Sequence, residues 1–145
     1  MFLPEFSEKA KRAMELAGVL AKFLKHQKIF PIHLLYGIIG EGSGSGFRAL
    51  DSLGVKGNDM RESIQSFLPT GLKKGFSPEP SLCLLEVIFV SARSKAQEMG
   101  GDVIHTGHLL LSVIECREEE LSARVLSGLG IDLDELSQKV IEFLG

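Results

Sequence analysis

The sequence predicts an all-α domain made of two similar halves, with eight helices, four in each half. The main observation is an internal repeat. Residues 33–39 begin with His-Leu-Leu and continue with an apolar helical pattern, and residues 108–114 do the same, an offset of 75 from position 33 to position 108. In both copies the apolar residues fall one helical turn apart. Nowhere does the chain alternate polar and apolar residues as a half-buried strand does.

The similarity continues downstream of this segment. Residues 48–55 pair with residues 124–131, and Phe67-Leu68 pairs with Phe143-Leu144, both at an offset of 76 from position 48 to position 124. A change of one position in the offset is typical of a duplicated unit with a loop insertion. We therefore expect one domain over residues 1–145, with a first repeat at 1–69, a connector at 70–77 and a second repeat at 78–145.

Composition narrows the possible classes of function. The 145 residues can bury a core, and the net charge of −3 gives no general attraction to nucleic acid. Two cysteines, Cys83 and Cys116, are too few for a disulfide framework, which favours a reducing compartment. No signal peptide is recognisable, and the run from Leu82 to Val90 is far shorter than a membrane span of about 20 residues. We expect a cytoplasmic protein, or one of an equivalent compartment such as the plastid stroma, with no nucleic-acid or membrane partner.

The first helix is expected to begin after Ser7, whose hydroxyl can accept a hydrogen bond from the first turn. Its apolar stripe consists of Ala10, Ala13, Met14, Ala17, Leu20, Ala21 and Leu24. Basic residues cluster at the end of this helix: Lys22, Lys25, His26 and Lys28. The cluster is either a solvated helix end or a basic binding patch. Pro31 opens the second helix, and a third runs from Phe47 to Leu53 before Gly54. The fourth begins at Asn58-Asp59 and stops at Pro69.

The glycine-rich segment from Gly40 to Gly46 does not fit the pattern of a phosphate-binding loop. A Walker A loop needs a lysine after its last glycine and a strand before its first, and both are missing. The segment is therefore interpreted as a flexible linker between two helices.

The second half repeats this plan. A helix from about Ser81 to Met99 is apolar on most sides and is expected to be buried between neighbours. Thr106 is expected to cap the next helix, and Asp132 with Glu135 forms a capping box for the last one.

The sequence gives little support for a catalytic site or a metal site. His105 and His108 form one close pair, but a zinc site usually needs two such pairs. Because His33 and His108 are equivalent in the two repeats, a capping or packing role explains them better. Cys83 lies among leucines, and Cys116 has acidic neighbours that raise a thiol pKa. We expect no enzymatic activity of the chain by itself and no cofactor.

These features together resemble the Clp N-terminal repeat domain, most closely the ClpC type. The resemblance rests on Phe6-Ser7-Glu8-Lys9-Ala10, His33-Leu34-Leu35, Leu53-Gly54-Val55, and the second-copy segments Thr106-Gly107-His108-Leu109-Leu110 and Leu129-Gly130-Ile131. It implies two four-helix repeats around a pseudo-twofold axis. It further implies a domain that recruits adaptor proteins and protein substrates to an AAA+ unfoldase for unfolding or Clp proteolysis. The alternative is a free-standing accessory protein that binds and regulates the Clp assembly.

One departure from the family pattern concerns phosphorylated arginine. ClpC-type domains carry Gly-Thr-Glu-His before the Leu-Leu pair in each repeat, and the two glutamates are associated with phosphoarginine recognition. This chain has Ile32 and Gly107 in their places. The candidate positions for partner or anion binding are Ser7, Ile32, His33, Ser77, Gly107 and His108. We expect weak phosphoarginine binding, because only the anion-binding half of such a site persists.

Overall fold

The computed structural model describes residues 5–23, 25, 29–59, 62–63, 85–115 and 125–144. Its helices are α1 (Glu8–Phe23), α2 (Pro31–Glu41), α3 (Ser45–Ser52), α4 (Leu85–Glu98), α5 (Thr106–Glu115) and α6 (Leu133–Leu144). Residues 57–59, 62–63 and 125–128 are also helical. Helical residues thus occur in each of the eight predicted places, which confirms the all-α class and its order of elements.

The centre of the core is formed by α2 and α5, the two helices that carry the repeated His-Leu-Leu segment, and they contact each other. Each is almost wholly buried, as expected for short helices that are apolar on all sides. The repeat-matched residues that are buried are Leu34, Leu35, Ile38, Leu50, Leu109, Leu110, Val113 and Leu126. Leu53 and Leu129, also expected to be buried, are half-exposed because each lies where its helix ends.

Helix α1 packs along α2 through a stripe of small residues. Ala10, Ala13 and Ala17 are completely buried, as the periodicity predicts. The two backbones approach so closely at Gly37 of α2 that a Cβ there would overlap the carbonyl oxygen of Ala13. Leu24, the last residue of the predicted stripe, lies outside the described residues.

Helix α4 departs from the expectation that it is buried on most sides. Only Ile88, Ala92 and Ala96 are buried in its described part, whereas Val87 is 49% and Val90 is 71% exposed. The buried residues are spaced by four positions and form one stripe that packs on α5. The prediction that this helix is buried on most sides is therefore wrong for its described part. Although apolar residues occur around most of the helix, one stripe of them is sufficient for the contact with α5.

A feature that the sequence analysis did not predict is a short parallel strand pair. Strand β1 (Glu5–Phe6) pairs with β2 (Val103–Ile104), and the N–H of Ser7 donates to the carbonyl oxygen of Ile104 at 2.9 Å. Two residues per strand are too few to give an alternating pattern. The pairing brings the start of α1 beside the start of α5, and this places the candidate site.

Several predictions fall on residues outside the described part of the chain: Ser77, the connector at 70–77, the apolar side of the fourth helix (Ile64, Phe67 and Leu68), Cys83, Cys116 and the end of the basic cluster (His26 and Lys28). Among the described helices, none is long and apolar enough to cross a membrane.

Candidate functional site

The N-terminal ends of three helices meet around an open pocket of about 230 Å³. Ser7 precedes α1, Ser45 begins α3, and Thr106 begins α5; the pocket therefore lies between the two repeats. Its lining residues are Ser7, Lys9, Ser43, Gly44, Ser45, Arg48, His105, Thr106, Phe143 and Leu144. The positive ends of three helix dipoles converge here, so the pocket is suited to an anion.

The start of α1 is fixed in the way the sequence predicts. The hydroxyl oxygen of Ser7 accepts a hydrogen bond from the N–H of Ala10 at 3.1 Å, and the β1–β2 pairing holds the residue in place. Lys9, in the first turn, is exposed, and its Nζ donates to the carbonyl oxygen of Ser43 at 3.4 Å.

The start of α3 corrects the interpretation of residues 40–46 as a flexible linker. Helix α2 continues to Glu41, Gly42 adopts a left-handed conformation with φ of 79°, and α3 begins at Ser45. The Glu41 carboxylate closes the turn by accepting hydrogen bonds from the N–H of Ser43 at 3.1 Å, the N–H of Gly44 at 2.6 Å and the Ser43 hydroxyl. The linker is a tight turn because one carboxylate satisfies its free N–H groups.

Glu41 reports on the electrostatics of this end of α3. Partial burial would raise the pKa of its carboxyl, but the hydrogen bonds from Ser43 and Gly44 and the charge of Lys9 outweigh burial and lower the pKa. The charged form of the Glu41 carboxylate is therefore stabilised at this edge of the pocket.

The start of α5 also differs from its prediction. Thr106 was expected to cap α5, but it is the first helical residue, and its hydroxyl oxygen accepts from the N–H of Gly46 in the other repeat at 3.0 Å. In return, the Ser45 hydroxyl oxygen accepts from the N–H of Gly107 at 2.9 Å. These reciprocal bonds join the starts of α3 and α5 across the two repeats.

The capping role inferred for the two histidines is confirmed. His33 Nδ1 accepts from the N–H of Phe30 at 2.8 Å, and His108 Nδ1 accepts from the N–H of His105 at 2.9 Å. The rings of each pair lie 5.7 and 5.6 Å apart, so His105 occupies in the second repeat the place of Phe30 in the first. Burial, with the charges of His105 and Lys95, lowers the pKa of His108 to about 4, which keeps its ring neutral.

Ile32 and Gly107, where the family pattern has glutamates, lie in the core. Ile32 is completely buried. A Cβ on Gly107 would come within 2.5 Å of the Ser45 hydroxyl oxygen and 2.9 Å of the Leu144 side chain. A carboxylate at position 32 would be buried, and a side chain at position 107 would displace its neighbours. Substituting glutamate at these positions would therefore disturb the fold rather than rebuild a site.

Of the five candidate positions in the described part of the chain, only Ser7 lines the pocket; His33 and His108 cap helices, and Ile32 and Gly107 are buried. The sixth candidate, Ser77, lies outside the described residues. The sequence analysis missed Lys9, Ser45, Arg48 and His105, which come from three separate elements. The exposed guanidinium of Arg48 lies 4.8 Å from the centre of the Phe143 ring at the pocket wall. The offset that pairs Phe67 with Phe143 was visible in the sequence, but the meeting of Phe143 with Arg48 depends on tertiary packing.

The metal-binding side chains were also compared with the requirements of a metal site in the described part of the chain. There, no group of three or more His, Cys, Asp or Glu side chains could hold a metal ion. The pocket offers hydroxyls, cations and one aromatic wall, which are groups that bind a ligand.

Comparison with known proteins shows which family has this architecture. The sequence matches the family described as the Clp repeat (R) N-terminal domain over residues 5–121, which is most of the chain. The chain belongs to this family. The two His-Leu-Leu helices at its centre are thus the central helices of a Clp N-domain.

Similar proteins include the chaperone protein ClpB of Oceanobacillus iheyensis, 30% identical over 100% of this chain and 18% of that protein. The negative regulator of genetic competence ClpC/MecB of Bacillus subtilis is also 30% identical, over the same shares of the two chains. The chain therefore spans less than a fifth of the length of these relatives. The N-terminal domain of the chaperone ClpD from Arabidopsis thaliana has the same fold, with a TM-score of 0.78, 24% identity and coverage of 99% of this chain and 97% of that one.

Proposed function

We propose that this Clp N-domain recruits adaptor proteins and protein substrates to a Clp unfoldase and its protease, and that it does so through the pocket between the repeats. The observation that carries the proposal is the composition of that pocket, which is open to solvent: three helix N-termini, two exposed cations and an aromatic wall. Because the chain belongs to the Clp N-domain family, the assembly in which such a surface would act is a Clp unfoldase. A reducing compartment, either the cytoplasm or the plastid stroma, belongs to the same proposal.

A chimeric unfoldase tests recruitment. The N-domain of Bacillus subtilis ClpC/MecB is replaced by this chain, and degradation of an unfolded protein by the chimera with ClpP is compared with that by the N-domain deletion. We expect faster degradation by the chimera, and loss of the gain in Lys9→Ala/Arg48→Ala. The control Lys22→Ala/Arg93→Ala removes the same charge from exposed positions outside the pocket and should retain the gain. Equal rates for the chimera and the deletion would contradict recruitment.

The accessory-protein alternative gives a different result in a second experiment. The isolated chain is mixed with an intact Clp unfoldase that has its own N-domains, without substrate. A recruitment domain should leave the ATPase rate of the assembly unchanged, whereas an accessory regulator would bind the assembly and change that rate.

A further inference from the structure

We infer that the outer surface at and just after the end of α1 binds an amphipathic helix of a partner protein, and that this helix carries acidic residues beside its apolar stripe. The surface, which we name the α1 patch, consists of Val19, Lys22, Phe23, Lys25 and Ile29. It is separate from the pocket between the repeats, because Val19 follows Lys9 by ten residues, which is about 15 Å along the helix. A partner bound at the α1 patch therefore leaves the pocket open.

The apolar part of the α1 patch interrupts a charged helix surface. Before Gly18, every exposed position of α1 is charged: Glu8, Lys9, Lys11, Arg12 and Glu15. After it, Val19 and Phe23 are each 63% exposed, and their spacing of four positions makes them one ridge of the helix surface. Ile29 borders this ridge, because a Cβ on Gly18 would lie 3.6 Å from its side chain. Exposed apolar side chains that adjoin one another in this way are typical of an interaction surface.

The charges beside the ridge indicate an acidic partner. Lys22 lies in the last turn of α1 and Lys25 follows the helix, and both are exposed. Among the described residues, no carboxylate forms an ion pair with either lysine. On the same face of α1, Glu15 lies one turn and Arg12 two turns before Val19. Acidic residues of the partner are therefore attracted to the end of the helix, where the two lysines lie, and not to its middle.

The backbone at Lys25 gives a second reason to assign its side chain a role. Its φ is 60°, in the left-handed region that glycine adopts without steric cost, and its N–H donates to the carbonyl oxygen of Lys22 at 3.0 Å. In the described part of the chain it is the only residue other than glycine with a positive φ. A lysine costs backbone energy at this position, and a side chain that binds a partner accounts for that cost.

A protein helix fits the α1 patch better than a membrane surface does. A helix that lies on a membrane presents an apolar face along much of its length. The exposed apolar residues of α1 are confined to its second half, and Glu8 and Glu15 on the first half would be repelled by anionic lipid. A partner helix can pack its own stripe on a ridge of two side chains, as helices commonly do.

An amphipathic peptide of about five helical turns tests the inference. It carries a leucine stripe flanked by positions that are glutamate, glutamine or lysine, and the binding of each fluorescent form to the whole chain is measured by anisotropy. We expect the glutamate form to bind about 3- to 10-fold more tightly than the glutamine form, because exposed ion pairs form with the two lysines. The lysine form should bind more weakly than both.

Serine substitutions test the apolar ridge. Val19→Ser/Phe23→Ser should weaken binding of the glutamate form by at least about 10-fold, because the burial of both apolar side chains is lost. The matched control Val87→Ser/Val90→Ser removes two exposed apolar side chains from α4 and should bind as the wild type does. Circular dichroism checks that both variants remain folded.

Two further variants test the charges. Lys25→Gly should reduce the preference for the glutamate form, and it should unfold at an equal or higher urea concentration than the wild type, because glycine adopts the left-handed conformation freely. Lys9→Ala/Arg48→Ala removes two cations from the pocket and should retain the preference.

The inference is overturned if the glutamate form binds no more tightly than the glutamine form, or if Val19→Ser/Phe23→Ser binds as the wild type does. It is also overturned if the α4 control loses binding to the same extent, if Lys25→Gly keeps the full preference or if the pocket variant loses it. Binding to vesicles of phosphatidylcholine and phosphatidylglycerol that disappears in Val19→Ser/Phe23→Ser would assign the α1 patch to a membrane instead. Each of these results leaves recruitment through the pocket intact, since the chimera measures it separately.

Discussion

His33 and His108 show at the scale of single residues how a repeated side chain can be structural. Each accepts the hydrogen bond of the backbone N–H three positions earlier and so closes the first turn of its helix. Their equivalence in the two repeats was visible in the sequence and predicted this role. The sequence also showed that Ile32 and Gly107 replace the family glutamates. It did not show that Ile32 is completely buried, or that a side chain at Gly107 would meet Ser45 and Leu144, which come from distant parts of the chain.

The stability of the fold should depend on pH through His108. Its folded-state pKa of about 4 lies below the ordinary value of 6.5, so between these pH values the unfolded chain binds more protons. The contribution is complete above about pH 6.5 and is lost as the pH falls toward 4. Allowing for partial screening by solvent, we expect it to be about 1–2 kcal/mol.

Urea unfolding at pH 7 and at pH 4.5 measures this effect, with His108→Asn as the comparison. Asparagine can still accept a hydrogen bond but does not titrate. The variant should lose less stability than the wild type on acidification. An equal loss in both proteins would show that His108 is not responsible.

At the scale of elements, periodicity predicted the helices well, since α1, α2 and α5 bury the residues expected of them. It failed where the local pattern carries no information. The β1–β2 pair is too short to alternate, and the order of the turn at Ser43 and Gly44 comes from one side chain, Glu41. For α4, the apolar residues on most sides of the helix predicted too much burial, because the sequence of one helix does not show which other elements pack against it.

The crossing of α1 and α2 should tolerate no side chain at Gly37. We expect Gly37→Ala to lower the free energy of unfolding by about 1–3 kcal/mol, because the new methyl group overlaps the backbone of α1. Gly128→Ala is the matched control: Gly128 is also helical, and a Cβ there has no neighbour within 4 Å. That variant should be neutral or more stable by up to about 1 kcal/mol. Chemical denaturation of both variants checks the pair, and equal stabilities would contradict the close crossing.

For the whole molecule, the duplicated core makes a symmetric prediction. Leu35 and Leu110 are both completely buried, one in each central helix. We expect Leu35→Ala and Leu110→Ala each to cost about 2–5 kcal/mol, the usual range for truncating a buried leucine. Denaturant unfolding measures both values. If one substitution costs less than about 1 kcal/mol, the two repeats do not share the core as described.

The pocket is the feature of the whole molecule that the sequence could not supply. Ser7 was found as a helix cap, but its meeting with Arg48 and His105 requires the two repeats to pack and the strand pair to form. An anion-binding half of a site was expected from the resemblance, whereas its placement between the repeats, with cations and no carboxylate among the described lining, was not.

The central claim, that protein ligands bind at this pocket, is tested most directly by amide chemical shifts. The ¹⁵N-labelled chain is titrated with an unlabelled unfolded protein, and the perturbed amides are mapped on the structure. The account predicts that the largest shifts occur at residues 7–9, 43–48 and 105–107, and that they disappear in Lys9→Ala/Arg48→Ala. Largest shifts on the exposed apolar faces around Val19 and Phe23 or around Val90, with the pocket amides unchanged, would contradict it.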